Sequence, residues 1–275
     1  VTVKRKCSKI RSSFFFRFGG PNASVLYPAG IYTTTQRYAL VTFQSDPIVQ
    51  KSGFELSYSS VYTATPCNRD IVLMISGLST VGSQNNFVKQ LDFIANALTP
   101  TWSVAPDKVR VVIYLMVDAD YATVWTAEDV SDNQKLTETV LGLTDYVPDV
   151  MENNNTDLTC VFKYAEEAVG FGAKEDKERN GISRVVIALL PQNPNNDQDF
   201  YEAMEFSHKI HAVDDTKVWL KVITVAMGMN LDLPRLAQLS YGSGFSFGAD
   251  YDSLKTLVSG INTAICASQP TSCGA

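Results

Sequence analysis

Asp70-Ile-Val-Leu-Met-Ile-Ser-Gly-Leu-Ser-Thr80 is the stretch whose reading decides the fold. Ile71 to Ile75 form an unbroken apolar run between Asp70 and the Ser76-Gly77 pair, which suits a strand covered on both faces in a parallel sheet. Runs of the same character follow at Val109 to Met116, Arg184 to Leu190 and Val218 to Met227. Helical patterns separate them. Phe87, Leu91, Ile94 and Leu98 make one apolar stripe, and Thr159 to Val169 buries Val161, Phe162, Ala165 and Ala168 while Glu166 and Glu167 turn to water. Asp199 to His211 and Tyr251 to Cys266 read as two more helices, with a short strand at Gly244 to Phe247 between them. Strands alternating with helices predict an α/β domain with a doubly wound, mostly parallel sheet.

In this order of elements, residues 67 to 266 resemble the von Willebrand factor type A domain. Asp70-Ile-Val-Leu looks like its first strand, Val109-Arg-Val-Val-Ile-Tyr-Leu its second, and Ala122-Thr-Val-Trp-Thr126 its antiparallel edge strand. Arg184 to Leu190, Ile223 to Gly228, Leu233-Pro-Arg-Leu-Ala237 and Tyr251-Asp-Ser-Leu254 stand where the family has its later landmarks. The resemblance implies a metal-ion-dependent adhesion site, with Asp-x-Ser-x-Ser after the first strand, a Thr before a helix and an Asp after the fourth strand. Matched by position, Ser76 replaces the first Asp, Leu78 the first Ser, Thr80 the second Ser, Thr156 keeps the Thr, and Pro191 replaces the last Asp. Sliding the first motif by one residue gives Gly77, Ser79 and Val81 and restores no acid.

Neutral hydroxyls offset the dehydration of a hard divalent cation poorly, so the sequence predicts a cleft without metal and no cofactor. Asp118, Asp120 or Asp197 folding in from neighbouring loops is the alternative route to a metal site. With Ser76, Thr80 and Thr156 they make the candidate contacts at the top face, as do the wider loops Asp118 to Asp120 and Asn193 to Asp199. A plainer reading has Ser76 and Thr156 only capping local backbone, with Asn154 or Thr156 near the start of a helix.

The first 62 residues read differently. Arg37 to Asp46 and Gly53 to Tyr58 alternate like half-buried antiparallel strands. Through Phe43-x-Ser-Asp46 and Gly53-Phe-x-x-x-Tyr58 the segment 25 to 60 resembles the C-terminal half of a CUB-like β-sandwich. Combined with a type A domain, it is similar to secreted invertebrate proteins, nematode ones in particular. Thr63-Ala-Thr-Pro66 is the natural junction, and residues 267 to 275 read as a tail.

Charge divides near the same place. Of 23 Lys and Arg, seven fall in residues 1 to 45, while none of the 29 Asp and Glu does, so the net of −6 hides a dipole. Lys4-Arg-Lys6, Lys9, Arg11 and Arg17 are interleaved with Phe14, Phe15, Phe16 and Phe18, which reads as a β segment rather than a nucleic-acid arm. A basic arm facing an acidic domain of the next copy would favour head-to-tail association and, without closure, a filament.

The five cysteines lack the close spacing of a zinc site. The family resemblance implies a bridge from Cys67 to Cys266, enclosing nearly the whole domain and contributing about 4 to 5 kcal/mol in the chain-entropy model. Cys7 with Cys273 is a second candidate pair, which leaves Cys160 as a buried free thiol or an intermolecular link. Asn22-Ala-Ser and Asn154-Asn-Thr are glycosylation sequons, meaningful in a secreted chain. A start at Val1 without an initiator Met or apolar leader reads as a processed secreted product or a trimmed chain, and no apolar run nears membrane-spanning length.

Enzyme signatures are poor. His208 and His211 share a helical face and could take zinc with Asp214 or Asp215, but a solvated helix explains them as well. Ser76-Gly77 lacks the nucleophile elbow, and Gly242 to Gly248 has the wrong spacing and place for a dinucleotide loop. The sequence therefore predicts a secreted, non-enzymatic interaction module that recognises extracellular protein, with a self-assembling matrix or filament protein as the alternative.

Overall fold

The computed structural model describes residues 67–77, 79–118, 121–146, 157–169, 179, 182–212 and 220–267, with the backbone of 2–3 and 41–42. The chain divides into two units, residues 1–60 with 273–275 and residues 61–272. In the first, β1 (Thr2–Val3) pairs antiparallel with β2 (Val41–Thr42). The rest of the CUB-like pieces, the Thr63–Pro66 junction, Cys7, Cys273 and the sequons at Asn22 and Asn154 lie outside the described residues.

The second unit holds a six-stranded sheet in the order β5-β4-β3-β6-β7-β8. Its strands are β3 (Asp70–Ser76), β4 (Arg110–Asp118), β5 (Tyr121–Trp125), β6 (Arg184–Leu190), β7 (Leu220–Met227) and β8 (Ser246–Ala249). In this sheet β5 pairs antiparallel with β4, and the other neighbouring strands pair parallel. The chain leaves β3 towards β4 and returns to its other side as β6, so the strand order reverses between β3 and β6.

Side-chain alternation on these strands builds two cores. Ile71, Leu73 and Ile75 face one layer, which contains α1 (Gln84–Phe93), α2 (Asn133–Gly142) and α6 (Val258–Cys266). Val72 and Met74 face the other, with α3 (Leu158–Val169), α4 (Asp197–Ala212) and α5 (Leu233–Ala237). Every residue of β3 is buried, as its uninterrupted apolar run predicts.

Several boundaries differ from the expectation. The stripe from Phe87 to Leu98 is not one regular helix: α1 widens at Ile94–Leu98 into a turn that carries Thr99 Oγ1 back to the Ile94 carbonyl at 3.0 Å. The final helix starts at Val258 rather than Tyr251, because Asp250 Oδ1 accepts from Ser253 N at 2.9 Å and holds that stretch as a turn. The last strand begins at Ser246 rather than Gly244, since Gly242 and Gly244 take positive φ of 134° and 88° to swing Phe245 into the core. Residues 133–142 form α2, which the sequence reading did not anticipate.

A charged cluster fastens the amino ends of the strands. Asp70, 2% exposed, accepts from Arg110 Nε at 3.0 Å and Nη2 at 2.9 Å, and pairs with Arg179. Burial by itself pushes the Asp70 carboxyl up, but the hydrogen bonds and charges of Arg110 and Arg179 outweigh it and hold it below the ordinary value. Beside it Cys67 is bonded to Cys266, their Cα atoms 5.8 Å apart. Arg69 Nε donates to the Ile265 carbonyl at 3.1 Å, at the same joint.

Lys221 of β7 lies fully buried with Nζ donating to the Ala267 carbonyl. Burial, helped by the nearby Arg69 charge, pushes its ammonium down to about 8. Between that value and the ordinary one, about 10.4, the unfolded chain binds more protons than the folded one, so this residue's contribution to stability rises with pH. Denaturant unfolding at pH 7.5 and 10 should show wild type gaining stability relative to Lys221→Met. An unchanged difference between the two would contradict the assignment.

Candidate functional site

The switch point places the carboxyl ends of β3 and β6 side by side, which is where separate loops meet in folds of this type. Ser76 ends β3 and is buried, and its carbonyl accepts from Gln90 Nε2 of α1 at 2.9 Å. Gly77 follows with its N–H on the Met116 carbonyl at 2.8 Å. A Cβ there would stand 2.7 Å from that same oxygen, so the β3–β4 contact requires glycine. The chain then makes a single turn, Ser79–Val81, and passes through Gly82 at a φ of 84°. Ser83 caps α1 by accepting from Asn86 N at 3.1 Å. Thr80 sits in that turn with its hydroxyl oxygen buried and without a hydrogen-bond partner among the described residues, as is Gln90 Oε1.

On the β6 side, Pro191 follows the strand directly. Asp199, on the first turn of α4, is buried and fully engaged: Oδ1 accepts from Thr159 N at 2.9 Å, and Oδ2 from Asn195 N at 2.8 Å. It thereby ties the start of α3 to the loop after β6. At the start of α3 Asp157 Oδ1 accepts from Cys160 N at 2.8 Å, and Asn154 and Thr156 lie outside the described residues. Cys160 is buried and in no disulfide among the described residues, its thiol donating to the Asp157 carbonyl at 3.5 Å.

Asp197, its side chain 79% exposed, forms an ion pair with Arg235 of α5. The Arg235 guanidinium also lies 4.5 Å from the centre of the Phe200 ring. Asn193 links the two loops: its Oδ1 accepts from Asp232 N at 2.7 Å and its Nδ2 donates to the Asn230 carbonyl at 3.2 Å, holding Asn230 at a φ of 64°. Asp118 ends β4 opposite Tyr121, and Asp120 and Thr156 lie outside the described residues. Ser76, Thr80 and Asp197 thus belong to the top-face loops, where Asn193 and Asp199, named from the sequence as the bounds of a candidate loop, and Arg235, not singled out there, make the organising links.

A divalent ion at the switch point needs oxygen ligands of which some carry charge. The described donors do not fit one. Ser76 and Thr80 are neutral, Pro191 offers no side-chain oxygen, and the nearby carboxylates of Asp199 and Asp197 are committed to backbone amides and to Arg235. No group of three or more His, Cys, Asp and Glu suited to a metal occurs among the described residues, and His208 stands exposed on α4. No helix among them is long and apolar enough to cross a membrane.

No family model matches the chain, and no curated protein does. Solved structures do. Proximal thread matrix protein 1 from the mussel byssus superposes with a TM-score of 0.55 at 13% identity, over 73% of this chain and 48% of that one. The same mussel protein with a zinc-occupied MIDAS motif gives 0.54 at 14%, over 74% and 47%. The manganese-loaded TRAP protein of Plasmodium vivax gives 0.51 at 17%, over 70% and 73%. The chain spans about half the length of the mussel protein. At these identities the likeness is one of fold: the six-stranded, mostly parallel sheet between two helical layers is that of von Willebrand factor type A domains.

Proposed function

We propose that this chain is a secreted, non-enzymatic module that binds extracellular protein through its top face and does so without a divalent cation. Ser76, Thr80, Asp118, Asp120, Thr156 and Asp197 are the contact positions. The observation that carries the reading is the donor set at the switch point, where one hydroxyl, Ser76, and one proline, Pro191, stand at the two positions that carry carboxylates in the type A adhesion site. Two solved structures that share the fold hold zinc in a MIDAS motif or are loaded with manganese, so the fold itself is compatible with a metal. What differs here is the chemistry of the loops.

The Cys67–Cys266 bridge and the sequons at Asn22 and Asn154 support an extracellular setting. Asn154 lies two residues before Thr156 in the sequence.

Restoring the ligands tests the assignment. The triple variant Ser76→Asp, Leu78→Ser, Pro191→Asp should gain a saturable manganese site that wild type lacks, read by calorimetry. A variant that folds, by circular dichroism, and still takes up no manganese would contradict the positions given to these residues.

A further inference from the structure

Between α4 and α5 runs an open groove of about 480 Å³, outside the switch-point cleft and sharing with its candidate residues only Asp197. Phe200, Tyr201 and Met204 form one wall, and Asp232, Pro234 and Arg235 the other. One cationic side chain is already housed there: Arg235 lies over the Phe200 ring at 4.5 Å and pairs with Asp197.

The same two elements, an aromatic face and a carboxylate, recur beside it. The Tyr201 ring is centred 5.5 Å from that of Phe200, and the residue is 60% exposed. Asp232 uses Oδ1 to cap α5, accepting from Arg235 N at 3.1 Å, which leaves its charge and its second oxygen for another donor. Arg235 neutralises Asp197, so Asp232 makes the groove net negative. An aromatic face beside an exposed carboxylate fits the long apolar stem and charged head of Lys or Arg.

A segment of that chemistry exists in this chain. Lys4, Arg5, Lys6, Lys9, Arg11 and Arg17 fall in a stretch of 45 residues that holds no acid, whereas all 29 Asp and Glu lie beyond it. We infer that the groove takes the Lys4–Arg17 segment of a second copy of this chain, so that copies associate head to tail. The contact joins two different surfaces, and each copy keeps one of each free for the next. This rests on the interaction-module reading above, yet it is read out by association rather than by metal uptake.

Sedimentation velocity of the full chain tests it. In low salt the average mass should rise with concentration and fall back towards the monomer in about 0.5 M NaCl. Tyr201→Ala with Asp232→Asn, which retains a capping side chain for α5, should weaken association about tenfold. Lys4→Glu with Arg5→Glu and Lys6→Glu should do the same. Mixing these two variants should yield a dimer and nothing larger, because only one intact segment meets one intact groove.

A wild type that stays monomeric at every concentration overturns the inference, as does association indifferent to the groove pair, or a mixture that does not dimerise. Each of these outcomes leaves the cation-free reading of the cleft untouched. Manganese uptake by wild type would remove that reading and leave the sedimentation result standing.

Discussion

Replacing Asp70 with Ala is expected to cost about 3 to 5 kcal/mol, the range for removing one partner of a buried ion pair. The loss does not come from forfeited attraction alone. Arg110, with its side chain 10% exposed, would lose the acceptors of its Nε and Nη2, and Arg179 would lose the same carboxylate. Asp70→Asn should fall between wild type and Asp70→Ala, because it keeps an acceptor but no charge. The folded carboxyl lies below its ordinary value, so its contribution is complete above about pH 4 and is lost as pH falls through the folded value. Urea titration at pH 7 and at pH 3 should therefore show a wide gap between wild type and Asp70→Ala that narrows in acid. A cost below about 1 kcal/mol at pH 7 would place the pair among exposed bridges and refute its structural role.

Removing the Cys67–Cys266 bridge should be comparably damaging. The two residues are 199 apart in sequence, so the bond closes a loop around the entire sheet. The chain-entropy value is about 4 to 5 kcal/mol, with measured values often lower. Arg69 holds the same joint, with Nε on the Ile265 carbonyl at 3.1 Å and Nη2 on that of Cys266 at 3.5 Å. Cys67→Ser with Cys266→Ser, or reduction of wild type, should lower the melting temperature, and the reductant should have no effect on the variant. Equal melting of reduced and oxidised wild type would show that the bridge contributes nothing.

Strands β3, β4, β6 and β7, four of the five parallel strands, were legible because each is largely buried on both faces and so carries an almost unbroken apolar run. Helix α2 was not: in Asn133–Gly142 only Leu136 and Val140 are buried, too sparse a stripe to stand out from a polar loop. Its start was signalled by Asp132, which accepts from Lys135 N at 2.9 Å, a cap that could have been read. The late start of α6 came from the Asp250 turn, a local competition that apolar periodicity does not register.

Much of the top face was beyond sequence reasoning because its links are long-range. Thr159 meets Asp199 across 40 residues, Asn193 meets Asp232 across 39 and Asp197 meets Arg235 across 38. None of these pairs has a spacing that periodicity could reveal. Asp197 appeared in the sequence as one acid in a polar loop, and only the fold gives it an arginine and an aromatic neighbour.

Isothermal titration of the purified wild-type chain with magnesium, manganese and calcium tests the central claim most directly. With hydroxyls at Ser76 and Thr80 and a proline at 191, each ion should give only heat of dilution up to millimolar concentration. A single saturable site of micromolar affinity that Ser76→Ala and Thr80→Ala abolish would contradict it, since neutral ligands would then be holding a doubly charged ion.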